Sequence, residues 1–231
     1  MKKFLLILLF ALLPISISGF YPSTDSKNSV TKWDMVIANQ AYVSLFNKSA
    51  KNPVAVVYKL YKGGGPCKRD HFHFKSEKGI PSATSGDYSK SGYDEGHMAN
   101  AEDFANNCTN DELTFRFYNC VPQTKELNRG IWRSLETAVR DSSQKDSLLV
   151  MCLNVYSDTS LHLKKTSVLV PTHCIKVVKS MSTGKYLWFE IFTNTSTPVE
   201  SNATKEEVEA LFGNKIESIE KQFYLSRKDI Y

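Results

Sequence analysis

Between Gly92 and Glu136 the chain gathers side chains suited to moving a proton and holding a hard cation in one place. The stretch opens with Gly92-Tyr93-Asp94-Glu95-Gly96-His97-Met98-Ala99-Asn100. It runs on through Phe117-Tyr118-Asn119-Cys120-Val121-Pro122-Gln123 to Asn128-Arg129-Gly130-Ile131-Trp132 and Leu135-Glu136. His97 follows a glycine and has the acid Asp94 nearby; a neutral imidazole near pH 7 can take a proton from water. Asn128 offers an amide oxygen, a hard neutral ligand suited to Mg²⁺, an ion that keeps most of its waters and needs few protein ligands. Glu136 follows about two helical turns later, so its carboxylate can approach the same point and orient a metal-bound water. Taken singly, the ordinary readings win, because a helix-entry asparagine and a solvated glutamate are both common. Taken together, the set could bind one metal ion and activate one water.

The elements that must position this set follow from periodicity. Val54 to Leu60 is β-branched and aromatic and reads as a strand, closed by Gly63-Gly64-Gly65-Pro66. Lys68 to Lys78 holds His71-Phe72-His73-Phe74, whose alternation predicts a strand with both histidines on one solvated face. Gly79 to Ser91 reads as a loop into the histidine motif, and Ala101 to Ala105 as one or two helical turns. Leu113 to Asn119 reads as a strand ended by Pro122, and Lys125 to about Ser142 as a helix with Asn128, Trp132, Leu135 and Val139 at helical spacing. Strands are expected over Leu148 to Tyr156, Ser167 to Lys179 and Tyr186 to Thr193, the last two as a hairpin. Thr204-Lys205-Glu206-Glu207 is a capping-box signature, Gly213 a helix stop, and Ile216, Ile219 and Phe223 a second helical piece. Strands and helices without regular βαβ alternation predict an α+β domain.

The whole chain sets the bounds. Its 231 residues, 42% apolar and 23% charged, suit one globular domain over residues 20–231. Met1-Lys2-Lys3 followed by an apolar Phe4 to Leu13 predicts a cleaved secretory signal over residues 1–19. The apolar run is short for a membrane span, so no stable membrane association is expected after cleavage, and the mature protein is expected to be secreted or otherwise exported. Losing Lys2 and Lys3 leaves 27 basic against 24 acidic residues, a net +3 that suits a polyanionic partner without demanding one. Export makes disulfides plausible for Cys67, Cys108, Cys120, Cys152 and Cys174, an odd number that leaves at least one thiol unpaired in the chain. Cys152 and Cys174 fall in apolar runs and read as buried, whereas Cys67 and Cys108 lie in polar, turn-rich segments and are the expected bridge.

The ordered motifs resemble the DNA/RNA non-specific endonuclease family with the ββα-metal fold. The likeness runs from Tyr93-Asp94-x-Gly96-His97 through Asn119-x-x-Pro122-Gln123, Asn128-x-Gly130-x-Trp132 and Leu135-Glu136. It extends to Val170-Pro171-Thr172-His173, Lys176-Val177-Val178 and Phe189 to Asn194. The resemblance implies a central, mainly antiparallel sheet flanked by helices, with a ββα-metal finger carrying the site. It implies His97 as general base, Asn128 as the direct ligand of Mg²⁺ (or Mn²⁺), Glu136 as the carboxylate holding metal-bound water, and Asn119 as a polar residue lining the site. DNA and RNA would be the substrates, cut to 5′-phosphorylated fragments with little base readout. Glu95 stands where the family usually has arginine, so either a nearby cation (Lys90, Lys125, Arg129 or Arg133) substitutes, or activity is reduced, or Glu95 itself adds a metal or water contact.

Two other classes remain in view. A nuclease fold that binds nucleic acid with weak or no catalysis draws support from Glu95. A secreted structural protein draws support from the Asn-x-Ser/Thr sequons at Asn47, Asn107, Asn194 and Asn202. The sequence leaves monomer and homodimer equally open.

Overall fold

A computed structural model of the protein describes residues 32–163 and 166–227; the signal expected over residues 1–19 lies outside them. The frame is a seven-stranded sheet: β1 (Met35–Ala38), β2 (Val43–Asn47), β3 (Asn52–Leu60), β6 (Leu148–Val155), β7 (His173–Ser180), β8 (Tyr186–Thr193) and β9 (Glu200–Asn202), in that spatial order. Every neighbouring pair is antiparallel. The middle strand β6 is buried along its whole length, and its sequence Leu148-Leu149-Val150-Met151-Cys152-Leu153 is accordingly apolar at both parities. Leu148, Val150 and Cys152 enter one core and Leu149, Met151, Leu153 and Val155 the other.

The second core is closed by α4 (Lys205–Phe212) and α5 (Ile216–Ser226), through Val208, Leu211, Phe212, Ile216, Ile219 and Phe223. These helices follow their sequence signals. Thr204 Oγ1 accepts from Glu207 N at 3.2 Å, Glu207 accepts from Thr204 N at 2.8 Å, and Gly213 ends α4 in the left-handed conformation at φ 77°.

The first core lies under a different cover. β4 (Tyr93–His97) and β5 (Cys120–Thr124) form a separate two-stranded antiparallel ribbon. Short pieces surround it: α1 (Ser85–Tyr88), a 3₁₀ turn over Ala101–Phe104, α2 (Cys108–Thr114) and another 3₁₀ turn over Phe117–Asn119. A segment kinked at Gly130, Leu127–Ile131, then leads into α3 (Trp132–Ser143), which places Trp132, Leu135 and Val139 on the sheet. Ribbon and helix make the ββα finger.

Three expected elements differ. Lys68 to Lys78 is not a strand: its one ladder contact is a bridge from Lys75 to Arg116, and the alternation instead packs Phe72 and Phe74 against Phe115 while His71 and His73 face solvent. Leu113 to Asn119 is the end of α2 and a 3₁₀ turn, and the strand begins where the expected one stopped. Pro122 sits inside β5, opposite Glu95. A two-stranded ribbon has an open edge on each strand, so a residue without an N–H is tolerated there.

Candidate active site

His97 ends β4, and backbone bonds fix the chain on both sides of it. It pairs with Cys120 across the ribbon, while Met98 N donates to Asn119 O at 2.9 Å. Its neighbour Gly96 has no room for a side chain, because a Cβ there would run into the Gln123 carboxamide. The imidazole sits between two rings, Phe74 at 4.5 Å and Phe115 edge-on at 4.7 Å. Nε2 is sealed from solvent with no hydrogen-bond partner among the described residues, so Nδ1 is the nitrogen left on the open side. Burial, helped by the Arg69 charge, pulls the imidazole down to about 3, so the ring is neutral at pH 7. A phosphate arriving beside it would raise its basicity again, since a nearby anion favours the imidazolium.

Asn128 lies just ahead of a kink where the backbone leaves helical geometry before α3 begins. Gly130 makes the irregularity possible with φ −105° and ψ −115°. Asn128 Nδ2 donates to Asp94 Oδ2 at 3.0 Å, which turns the amide oxygen away from that carboxylate. Arg129 grips the same carboxylate with Nε and a terminal nitrogen, both at 2.7 Å. Those hydrogen bonds, Arg129 first and Asn128 also, hold Asp94 below the usual carboxylate range. Glu136, two turns on, is buried and accepts from Lys176 Nζ at 3.5 Å.

A cavity of about 540 Å³ joins these groups, lined by His97, Asn128, Glu136 and the guanidinium groups of Arg69, Arg129, Arg133 and Arg140. Arg140 is held by Asp103 at 2.8 Å, and Arg69 is paired to Glu102 with Asp111 behind it at 3.9 Å. Cationic forks beside hard oxygen donors suit a phosphodiester and its counter-ion. Among the described residues no cluster of three His, Cys, Asp or Glu side chains could hold a metal. The donor set that is present, one oriented amide oxygen and one carboxylate beside a water-accessible space, fits Mg²⁺ bound mostly through water.

The cavity thus gathers His97, Asn128, Glu136, Arg129 and Arg133. Three other expected site residues stand outside its lining. Asn119 is fully buried and does not face the cavity: Nδ2 donates to Ala99 O and Thr114 O, and Oδ1 accepts from Ala99 N, so the amide is consumed in fixing the turn after His97. Lys125 is exposed just past the end of the ribbon, where its charge helps lower Asp94. Glu95 is half-buried, pushed above the usual carboxylate range by burial first and by Asp94, against the His73 charge. Sequence reasoning missed Arg69 and Arg140. Arg140 sits one turn after Glu136, a spacing that could have been read. Arg69 follows Cys67, whose disulfide to Cys108 ties that loop to α2; the bridge was expected, but its consequence for Arg69 needed the fold.

A ββα finger bringing an imidazole, an amide, a carboxylate and several arginines to one cavity places the protein in the class of ββα-finger nucleases. The chain belongs to the DNA/RNA non-specific endonuclease family, whose model matches residues 23–221. It is 26% identical over 197 residues to mitochondrial endonuclease G of Bos taurus, a match covering 78% of this chain and 64% of that protein. It is 34% identical over 131 residues to nuclease C1 of Cunninghamella echinulata var. echinulata, covering 51% of this chain and 52% of the relative. The chain therefore spans about half to just under two thirds of these relatives' lengths. Among solved structures it resembles a chain in the crystal structure of an EndoG/EndoGI complex, with TM-score 0.66 and 25% identity, covering 77% of this chain and 83% of the other.

Proposed function

We propose that this protein is an exported, Mg²⁺-dependent endonuclease that hydrolyses phosphodiester bonds of DNA and RNA without base preference. The observation that carries the reading is the convergence of His97, Asn128 and Glu136 on one arginine-lined cavity. His97 takes the proton of the attacking water at Nδ1, its ring held by Phe74 and Phe115. Asn128 presents its amide oxygen to the metal, with Asp94 fixing which end of the amide faces inward. Glu136 orients water. The arginines hold the phosphate and take up its growing charge, and because they grip backbone rather than base edges, DNA and RNA are both accepted. When bound, Mg²⁺ (or Mn²⁺) supplies Lewis-acid stabilisation of the phosphate and the leaving 3′ oxygen, leaving 5′-phosphorylated fragments. Export is supported by the Cys67–Cys108 disulfide, a bond at home in an oxidising compartment.

The binding-only alternative drew its support from Glu95. That side chain does not line the cavity, and Arg69 and Arg140, which do, supply cations that the altered motif lacks. The test is digestion of plasmid DNA and of RNA with Mg²⁺, with EDTA, and with His97→Ala, at low salt because phosphate-driven binding weakens steeply as salt rises. Cutting that needs both the metal and His97 supports the reading; intact substrate with Mg²⁺ and with Mn²⁺ overturns it.

A further inference from the structure

Lys176 is a lysine where the fold asks for an apolar residue. It lies in β7, near the middle of the sheet, and its side chain is 1% exposed. Its cross-strand partner on β6 is Cys152, and Cys174 and Val178 share its face. Burying an ammonium in such surroundings is costly unless it is paired, and a well-packed apolar residue of similar volume often serves stability as well or better. The partner of Lys176 on β8 is the buried Glu190, which accepts from Asn202 Nδ2 at 2.8 Å and, among the described residues, has no hydrogen bond to Lys176. The packing around this strand thus gives no reason for a charge here.

The reason is visible one layer up. Lys176 Nζ lies 4.1 Å from the centre of the Trp132 ring and 3.5 Å from Glu136 Oε1. Trp132 and Glu136 are one turn apart on the buried side of α3. Burial opposes the lysine charge, yet Cys152, Glu136 and Asp103 together hold the ammonium above the ordinary lysine value. Of these, the Cys152 thiol is itself pushed up to about 12 by burial and carries no charge at neutral pH. The two carboxylates remain; Lys176 acts on both through its charge, but their hydrogen-bond donors differ. Asp103 is engaged by Arg140 at 2.8 Å and by the Tyr58 hydroxyl at 2.8 Å. Among the described residues, Glu136 accepts a hydrogen bond from Lys176 alone. Each buried carboxylate thus has its own hydrogen-bonding cation, Arg140 from the helix for Asp103 and Lys176 from the sheet for Glu136.

We propose that Lys176 is a positioning residue for the cavity: from beneath, it clamps one oxygen of Glu136 and so presents the other to metal-bound water. Without it, Glu136 would lose the one hydrogen bond it accepts among the described residues, its carboxylate would be free to rotate, and the water it orients would be released. The arginines that hold the phosphate would be untouched. This inference deepens the nuclease reading and rests on it.

The experiment compares wild type with Lys176→Met, with and without Glu136→Gln, by cutting kinetics and by Mn²⁺ binding followed by electron paramagnetic resonance in a His97→Ala background. For Lys176→Met we expect kcat to fall about 10–100-fold and Mn²⁺ to bind about tenfold more weakly, the range seen when groups that orient a metal's ligands are removed. KM for DNA should stay near wild type. In the Glu136→Gln background, Lys176→Met should cause no further loss of rate, because the group it acts through is already gone. Wild-type kcat and Mn²⁺ affinity in Lys176→Met would overturn the proposal, as would losses that multiply in the double variant. If Lys176→Met alone does not fold, the comparison of Glu136→Gln with the double variant, which leaves no buried charge at either position, decides the matter by the same criterion. A wild-type protein that cuts nothing refutes the nuclease reading separately, while Mn²⁺ affinity still judges Lys176; wild type that binds no Mn²⁺ overturns both.

Discussion

The two faces of the seven-stranded sheet are built by different rules. Beneath α4 and α5 the core is apolar, both helices are regular, and α4 carries a capping box and a left-handed glycine stop. Beneath the ββα finger the cover is a ribbon, 3₁₀ turns and a helix entered through a kink, and charges are buried: Asp103, Glu136 and Lys176, with the amides of Asn119 and Gln123. Several polar atoms on this side, His97 Nε2, Gln123 Oε1 and Trp132 Nε1, lack partners among the described residues. Such departures cost stability and persist where the site needs them. One face stabilises the fold; the other spends some of that stability to hold a reactive arrangement.

The sharpest way to break this contrast is His97→Ala. Removing a positioned general base costs about 10²–10⁴ in rate, and here it also removes a sealed, unpartnered nitrogen, so the melting temperature should barely fall. Plasmid cutting with Mg²⁺ beside a thermal melt measures both. A variant that cuts at the wild-type rate would remove His97 from the mechanism. The mirror experiment is Phe212→Ala on the far face, where truncating a buried phenylalanine costs about 3–5 kcal/mol. Denaturant unfolding should show that loss, while kcat well below the melting temperature stays unchanged. A large fall in kcat would mean that the two faces are coupled.

Asn119→Ala should register on both measures. Its amide satisfies three backbone groups after His97 and in α2, and leaving buried partners unmade costs about 1–3 kcal/mol. Since the same bonds fix the end of β4, the cutting rate should fall with stability, by less than in His97→Ala. Loss of stability with an unaltered rate would make Asn119 a packing residue alone.

These contrasts also mark what the sequence made legible. The far face could be read almost residue by residue, because Thr204, Glu207, Gly213 and the Ile216, Ile219, Phe223 spacing each signal a local rule that the fold obeys. His97, Asn128 and Glu136 were readable as a set. The short strand Val43–Asn47 and the ribbon itself were not: Pro122 argued against β5, and Tyr93–His97 carries no apolar alternation. Arg69 was hidden because its position depends on a disulfide to a helix 41 residues away in sequence from Cys67. Asn119 was identified as important, but its chemistry was misplaced, since a motif gives the residue and only the fold tells which atoms it faces.

Acidity gives a smaller, graded test. The His97 imidazole is near 3 in the fold against 6.5 when free. Its contribution is therefore complete above pH 6.5 and is lost as pH falls toward 3, because the unfolded chain takes up a proton that the native state refuses. Asp103, raised by burial to about 6 from 3.8, acts oppositely: its contribution is complete below 3.8 and is lost as pH rises through 6. Between pH 4 and 6 the two trends oppose each other. Melting temperatures across pH 4–7 should thus show His97→Ala losing less stability on acidification than wild type. Parallel curves would mean that His97 is not held neutral.

The smallest expected effect is at position 95. Glu95 shares the His97 parity of β4 but sits opposite Pro122, half-buried, with His73 acting on it through charge rather than any group of the cavity. Arg69 and Arg140 already bring positive charge to the cavity that His97 lines. Glu95→Arg should therefore change the cutting rate by no more than about threefold, well under the 1.36 kcal/mol that a factor of ten represents. The measurement is kcat/KM on plasmid at fixed low salt, repeated at higher salt to separate binding from chemistry. A gain of tenfold or more that survives added salt would show that position 95 reaches the reacting phosphate. In that case Glu95, not the buried charges beneath α3, would set how fast this face works.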